Sequence, residues 1–245
     1  MSDDSPGTAL RFPERAWADM GRQDYAVITD DELGLAPGFR EAFRGAYFEN
    51  LRHDEGDWPA DRERARDVIL YEWADGNARL SEYENTDITD RAGIKGTRRH
   101  KRVEMLADPD AADLVRRLLS LVPPESRRAS GTFGVNLFRT YSDIVTKPHK
   151  DDEEFIILYV LHRNGGEARS YLYPALPGPG DNAKSDAKEL DQQLNPGDIL
   201  IFRDDAFLHG ATPLTSPPHG RAMRDALVCT VDYASTYLRP APAAG

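Results

Sequence analysis

The chain has a single cysteine, Cys229, among its 245 residues. That excludes an intrachain disulfide framework and any multi-cysteine zinc site, and makes a reducing compartment, the cytoplasm, the expected setting. Long apolar runs are also missing. The longest, FIILYVL at 155–161, falls far short of the roughly 20 residues a helix needs to cross a bilayer. The opening MSDDSPGTALRFPER lacks a charged-then-apolar leader pattern, so neither secretion nor membrane insertion is expected. Basic residues are in deficit: 31 Lys and Arg against 42 Asp and Glu leave a formal net charge of -11. Neutralising nucleic-acid phosphates requires a broad basic surface, so a nucleic-acid partner is not expected, although a small basic patch can still hold a small anion.

The periodicity changes along the chain. The length suits one domain, with 1–129 as mostly helical and loop support, 130–233 as a β core and 234–245 as a tail. In PGFREAFRGAYFENLRHD, Phe39, Phe43, Tyr47 and Leu51 fall four apart, which predicts one helix face. A second helix is expected from Asp108 as N-cap and Pro109 as first residue, ending before Pro123. Residues 72–102 are polar and irregular and end in the basic KGTRRHKR, which reads as loops or a lid. From Thr132 onward, TFGVNLFRTY, EFIILYVLHR, ARSYLYP, DILIFRD, FLHGAT and RDALVCTVDY are short β-branched or aromatic segments between turn residues. No helix-length segment separates them, so an antiparallel sandwich or barrel is predicted rather than a parallel sheet. Residues 175–195 read as a hydrophilic excursion between strands.

The chemistry concentrates in TKPHKDDEEF, 146–155. On a strand, residues two apart share a face, so His149 and Asp151 present an imidazole and a carboxylate together while Lys150 points away. A third ligand on another strand would complete a two-histidine, one-carboxylate facial set, which leaves open metal positions for substrate and oxygen. His209, in NPGDILIFRDDAFLHGATPL, is the candidate: it follows a turn and two apolar segments that return the chain across the barrel. The plainer alternative is that an HxD pair marks a solvated turn. His53, His100 and His219 sit in polar or turn-like segments, and His162 ends a strand, so none is expected to bind metal. Arg224 opens RDALVCTVDY and shares a face with Ala226 and Val228, where its guanidinium can clamp the far carboxylate of a dicarboxylic co-substrate. Arg221, in the turn HGRAM, is its rival.

Together, the HxD pair, the histidine after a PGD turn and the following arginine resemble the iron(II)- and 2-oxoglutarate-dependent oxygenases. VNLFRTYSD, PHKDDEEFIILYVLHRNGGEARSYLY, PGDILIFRDDAFLHGATPL and RDALV resemble, more narrowly, the bacterial family that includes isoleucine 4-hydroxylase and the cyclodipeptide oxygenases of bicyclomycin biosynthesis. The likeness covers roughly residues 130–233. It implies a mainly β fold, a double-stranded β-helix (jelly roll, cupin-like) with N-terminal helices. It also implies Fe(II), 2-oxoglutarate and dioxygen as cofactor and co-substrates, metal roles for His149, Asp151 and His209, and the 2-oxoglutarate role for Arg224. Many relatives place a serine two residues after that arginine. Here the position is Ala226, and Thr212 is the substitute hydroxyl.

The expected activity is hydroxylation of an unactivated C–H in a free amino acid, a small amino-acid-derived metabolite or a cyclic dipeptide of specialised metabolism. Arg139 shares a strand face with Phe133, Val135, Leu137 and Tyr141, and either anchors an acidic substrate group or forms a buried ion pair. Tyr159 and Tyr171 are candidate pocket walls, with core packing as the other reading. Two further classes fit the same residues: a metal-dependent isomerase or hydrolase on a cupin-like barrel, which leaves Arg224 without a role, and a non-catalytic β-sandwich binding module.

Overall fold

The computed structural model describes residues 12–49, 51, 62–83, 88–89, 97–98, 101–141, 146–176, 183–216 and 219–232. Its helices are α1 (Glu14–Gln23), α2 (Phe39–Tyr47) and α3 (Pro109–Ser120). Its strands in the first half are β1 (Tyr25–Thr29), β2 (Arg62–Ala74), β3 (Asn77–Tyr83), β4 (Ile88–Thr89) and β5 (Thr97–Arg98). Those in the second half are β6 (Ser130–Tyr141), β7 (Thr146–His149), β8 (Phe155–Asn164), β9 (Arg169–Pro174), β10 (Leu190–Gln193), β11 (Asp198–Arg203), β12 (Phe207–Ala211) and β13 (Met223–Asp232). α3 starts as its sequence predicts: the Asp108 side chain accepts the Asp110 amide and Pro109 fills the first turn, where its missing N–H costs nothing.

Two antiparallel sheets face each other. The larger runs β1-β11-β8-β13-β6-β2-β3 and the smaller β10-β9-β12-β7. From β6 to β13 the chain passes back and forth between the two sheets, with β9 and β10 pairing within the smaller one, which makes the double-stranded β-helix. Because the larger sheet is covered on both sides, its central strands carry apolar residues on both faces. One face packs against the helices through Phe133, Val135, Ile157, Tyr159, Leu227 and Cys229, with Phe43, Leu114 and Leu118 from the helical layer. The opposite face meets the smaller sheet through Ile156, Val160, Leu172, Leu200, Phe202 and Phe207. On β6 and β13 the even-numbered residues therefore look into the barrel and the odd-numbered ones toward the helices. Pairing between β13 and β8 passes from Asp225↔His162 to Ala226↔Val160, so β8 carries one extra residue at a bulge.

The first half departs from its expectation. Residues 72–83, within the stretch read as loops or a lid, join 62–71 in a hairpin that adds β2 and β3 to the larger sheet beyond β6. Its turn is Asp75-Gly76, both at positive φ (52° and 78°), the conformation a two-residue hairpin requires. Of KGTRRHKR, Thr97–Arg98 pairs with β4, Lys101 and Arg102 dock on β2, and Arg102 reaches Glu82 of β3 at 2.9 Å. Residues 99–100 lie outside the described residues. The excursion at 175–195 also contains a strand, β10, along the edge of the smaller sheet.

Candidate metal centre

His149 ends β7 and pairs in register with His209 on β12, so two strands of the smaller sheet bring their rings to 4.3 Å between centroids. Asp151 lies just past the strand, where the chain turns through Asp152 at φ 59° before entering β8. Its two carboxylate oxygens each face one imidazole: His149 Nε2 lies 3.4 Å from Oδ1, and His209 Nε2 lies 3.6 Å from Oδ2. One donor atom from each of the three residues falls within 4.8 Å of the others. Adjacent ligands about 2.1 Å from a shared metal stand roughly 3 Å apart, so this spacing needs only a small contraction to close on an ion.

The tautomers suit that purpose. His149 Nδ1 lies 2.8 Å from the Lys147 carbonyl, which can only accept, so Nδ1 keeps its proton and Nε2, the nitrogen that faces Asp151, is the one that would release its proton to a metal. His209 Nδ1 faces Asp204 Oδ1 at 3.5 Å, an arrangement that places the same proton in the same position. Those two atoms are buried and otherwise without a hydrogen-bond partner. The other Asp204 oxygen, Oδ2, accepts the amides of Asp151 at 2.9 Å and Glu153 at 3.1 Å. The His149 imidazole is held above its ordinary range, first by its hydrogen bond to Asp151. Burial alone would raise the Asp151 carboxyl, but the His149 hydrogen bond and the charges of His209, His149 and Arg64 bring it below the usual range. Asp151 is thus ionised at neutral pH, as a metal ligand would need to be.

Arg224 sits on the barrel-facing side of β13, deep in protein yet with part of its side chain accessible, as befits a residue lining a cavity. Burial pushes its guanidinium down to about 10, and the like charges of Arg62 and Arg163 push the same way. Among the described residues no carboxylate pairs with it. Arg221 is exposed and lies over the Tyr141 ring at 3.7 Å. Thr212 Oγ1 accepts the Arg169 amide at 2.8 Å, which ties β12 to β9, and makes no hydrogen bond to Arg224.

Three residues expected near substrate are placed elsewhere. Arg139 faces the helices and forms a two-pronged ion pair with the fully buried Asp225, at 2.7 and 2.8 Å. Of its two readings, the structure therefore contains the ion pair. Tyr159 also faces the helical layer, fully buried, and donates to Asp30 at 3.1 Å. Tyr171 is on the outer face of the smaller sheet, under Lys188 and against Tyr173. In each case the strand was read correctly but the face was not, because the odd positions of β6, β8 and β9 point away from the barrel interior. His162 faces the helical layer near Arg44 and Asp225, His219 is exposed, and His53 and His100 lie outside the described residues.

The family of 2OG-Fe dioxygenases has a model that matches residues 46–230. The chain belongs to that family. The dioxygenase also shares its fold with three crystal structures at low identity. A bsmA homologue from Methylobium petroleophilum PM1 has a TM-score of 0.71 and 19% identity, over 93% of this chain and 95% of that one. IDO from Bacillus thuringiensis has 0.67 and 14%, over 90% and 95%. HygX from Streptomyces hygroscopicus, with nickel and 2-oxoglutarate bound, has 0.55 and 15%, over 94% and 91%. No curated protein matches the sequence. As a 2OG-Fe dioxygenase the enzyme uses iron(II), 2-oxoglutarate and dioxygen, and the isomerase, hydrolase and binding-module readings are set aside. None of the described helices is long and apolar enough to cross a membrane.

The sequence reading missed two features of the fold around this cluster. One is Asp204, whose place beside the HxD turn comes only from the fold. The other is the alternation RERAR at 62–66, which puts Arg62, Arg64 and Arg66 on the barrel-facing side of β2.

Proposed function

We propose that the enzyme hydroxylates an unactivated C–H of a free amino acid or a small amino-acid-derived metabolite in the cytoplasm, as a step of specialised metabolism. His149, Asp151 and His209 would hold iron(II), and Arg224 would anchor the distal carboxylate of 2-oxoglutarate. The observation that carries this reading is one set of side chains: three convergent candidate ligand atoms and, on the barrel-facing side of β13, a buried arginine with which no carboxylate among the described residues pairs. Bound iron(II) supplies the dioxygen-dependent decarboxylation of 2-oxoglutarate to succinate and the oxidising equivalent that turns C–H into C–OH.

The protein's part is orientation and exclusion of water. The Lys147 carbonyl and Asp204 fix the two imidazoles with Nε2 toward the metal position, and Asp151 contributes the charge. His149, Asp151 and His209 would hold iron(II) with three side chains only, so that the 2-oxo acid and dioxygen could also reach it. A bidentate contact at Arg224 would set the direction of the 2-oxoglutarate chain. Phe202, whose ring lies 5.1 Å from that of His209, and the neighbouring Leu172, Phe207 and Val228 give the interior dry walls.

Succinate formation from 2-oxoglutarate under air, with an anaerobic control, tests the chemistry. Mass spectrometry of amino acids and cyclic dipeptides for the gain of one oxygen atom, with 2-oxoglutarate omitted as control, tests the substrate class. Absence of a 2-oxoglutarate–iron(II) charge-transfer band in the wild type would overturn the ligand assignment.

A further inference from the structure

Arg224 has a second guanidinium beside it. Pairing between β13 and β8 sets Arg224 directly opposite Arg163, so past the bulge the two side chains share the barrel-facing side of the larger sheet. Both are partly buried, and their charges repel each other. Among the described residues neither has a carboxylate partner. Like charges set side by side away from bulk water oppose folding, so the pair points to an anion that joins them.

Arg163 is held by neutral oxygens. With its amide oxygen turned toward the guanidinium, Gln193 accepts from Nη1 and Nη2 at 2.7 and 2.6 Å, and Asn195 Oδ1 accepts from Nη2 at 3.2 Å. Those three contacts leave the Nε–H and one Nη1–H of the guanidinium for a further acceptor. Its charge is not cancelled. On the smaller sheet, Ser170 shares the inner face of β9 with Leu172 and is 4% exposed, and its Oγ is buried with no hydrogen-bond partner. Register connects it to the arginines: Ser170 lies opposite Gln192 on β10, and the next residue of that strand is the Gln193 that holds Arg163. A hydroxyl buried without a partner is costly, so this position too calls for a ligand group.

We infer that Arg163 is a second anchor for the distal carboxylate of 2-oxoglutarate, which then lies between two guanidinium groups and accepts from the Ser170 hydroxyl. The inference rests on the proposed function and deepens it. Where many relatives carry a serine two residues after the arginine, the methyl group of Ala226 offers no donor. Arg163 on the neighbouring strand and Ser170 on the facing sheet supply donors instead. A carboxylate offers about four acceptor positions, enough for both guanidinium groups and the hydroxyl.

The test uses the full-length wild-type enzyme with Mn(II) and compares 2-oxoglutarate with 2-oxopentanoate, which has a methyl group in place of the distal carboxylate. Phenylglyoxal labels accessible arginines, and mass spectrometry reads each one. 2-Oxoglutarate, and not 2-oxopentanoate, should slow labelling of both Arg163 and Arg224. Calorimetry then measures each contact. Arg163→Gln should weaken 2-oxoglutarate about tenfold or more, the scale for losing a charged hydrogen-bond partner, and leave 2-oxopentanoate unchanged. Arg163→Lys keeps the charge and should recover part of that loss, and Ser170→Ala should weaken 2-oxoglutarate about fivefold. Slowed labelling at Arg224 with none at Arg163, or an Arg163→Gln affinity within about twofold of wild type, overturns the inference. An equal fall for both 2-oxo acids also overturns it, since Arg163 would then act on the barrel and not on the carboxylate. The Ser170 contact falls if Ser170→Ala binds as the wild type does. Slowed labelling at neither arginine, or failure of 2-oxoglutarate to bind, strikes the proposed function itself, so the two failures are distinct. The labelling arm needs no variant to fold.

Discussion

Asp204 Oδ1 stands 3.5 Å from His209 Nδ1, with the carboxylate side chain 1% exposed. Through its other oxygen the same residue holds the amides of Asp151 and Glu153. One buried carboxylate thus touches both strand-separated parts of the metal site: the imidazole on β12 and the turn after β7. Asp204→Asn keeps an acceptor for the amides but loses the charged partner of the imidazole. Its expected effect is a 10–100-fold loss of metal affinity, a typical cost for an orienting partner, with a modest change in melting temperature. Asp204→Ala should lose both affinity and stability, because two buried amides are also stranded. Titration with Co(II), followed by its visible spectrum, and thermal denaturation separate these outcomes.

Arg224 makes the opposite trade. Its guanidinium is buried beside Arg62 and Arg163, which destabilises the folded chain while the charge is present. Arg224→Leu is expected to weaken 2-oxoglutarate binding about 100-fold, the usual scale for removing a charged clamp. It should leave the melting temperature unchanged or raised. Arg221→Leu, at the exposed residue over Tyr141, should change 2-oxoglutarate affinity little. A fall in affinity with Arg221→Leu and not with Arg224→Leu would reverse the assignment.

Asp225 is fully buried and takes Arg139 from β6 at 2.7 and 2.8 Å and Arg44 from α2 at 2.6 Å. Removing one partner of such a cluster leaves uncompensated charge, so Asp225→Ala should cost about 3–5 kcal/mol in urea unfolding. Arg139→Met should likewise destabilise the fold, while substrate and 2-oxoglutarate affinities measured well below the melting temperature stay close to wild type.

Asp67 gives a pH signature. Burial, joined by Glu82, raises its carboxyl to about 7, against the lowering effects of the Met105 and Val68 amides and Arg102. A carboxyl raised on folding binds its proton more tightly in the native state. Its contribution is therefore full below the unfolded value near 3.8 and is lost as pH rises through about 7. Across that interval wild-type stability should fall relative to Asp67→Asn by an amount on the order of 3 kcal/mol. Urea unfolding of both proteins at several pH values measures the difference, and a flat difference would reject the shift.

What could be read from the sequence divides along physical lines. Turn residues and β-branched runs mark β6, β8, β9, β11, β12 and β13, and Asp108-Pro109 marks α3, because these signals are local. The HxD pair and His209 are legible because few residue types can ligate a metal and their spacing fits two strands. The face of a strand is harder to assign where both sides are buried. The odd and even positions of β8 are equally apolar, and on β6 alternation grouped Arg139 with Phe133 and Val135 without saying which side met the barrel. β2 escaped because its inward residues are arginines, which read as solvated charge, although Asp75-Gly76 was a usable hairpin signal. Asp204 has Asp205 beside it in the sequence, and only tertiary contact tells them apart.

The extra residue in β8 reaches further than strand geometry. Had that strand kept a strict two-residue rhythm, Arg163 would look toward the helices alongside Tyr159 and Leu161, and Arg224 would lose a repelling neighbour. The acidity of one side chain is thus governed by how many residues its neighbouring strand spends between two pairings.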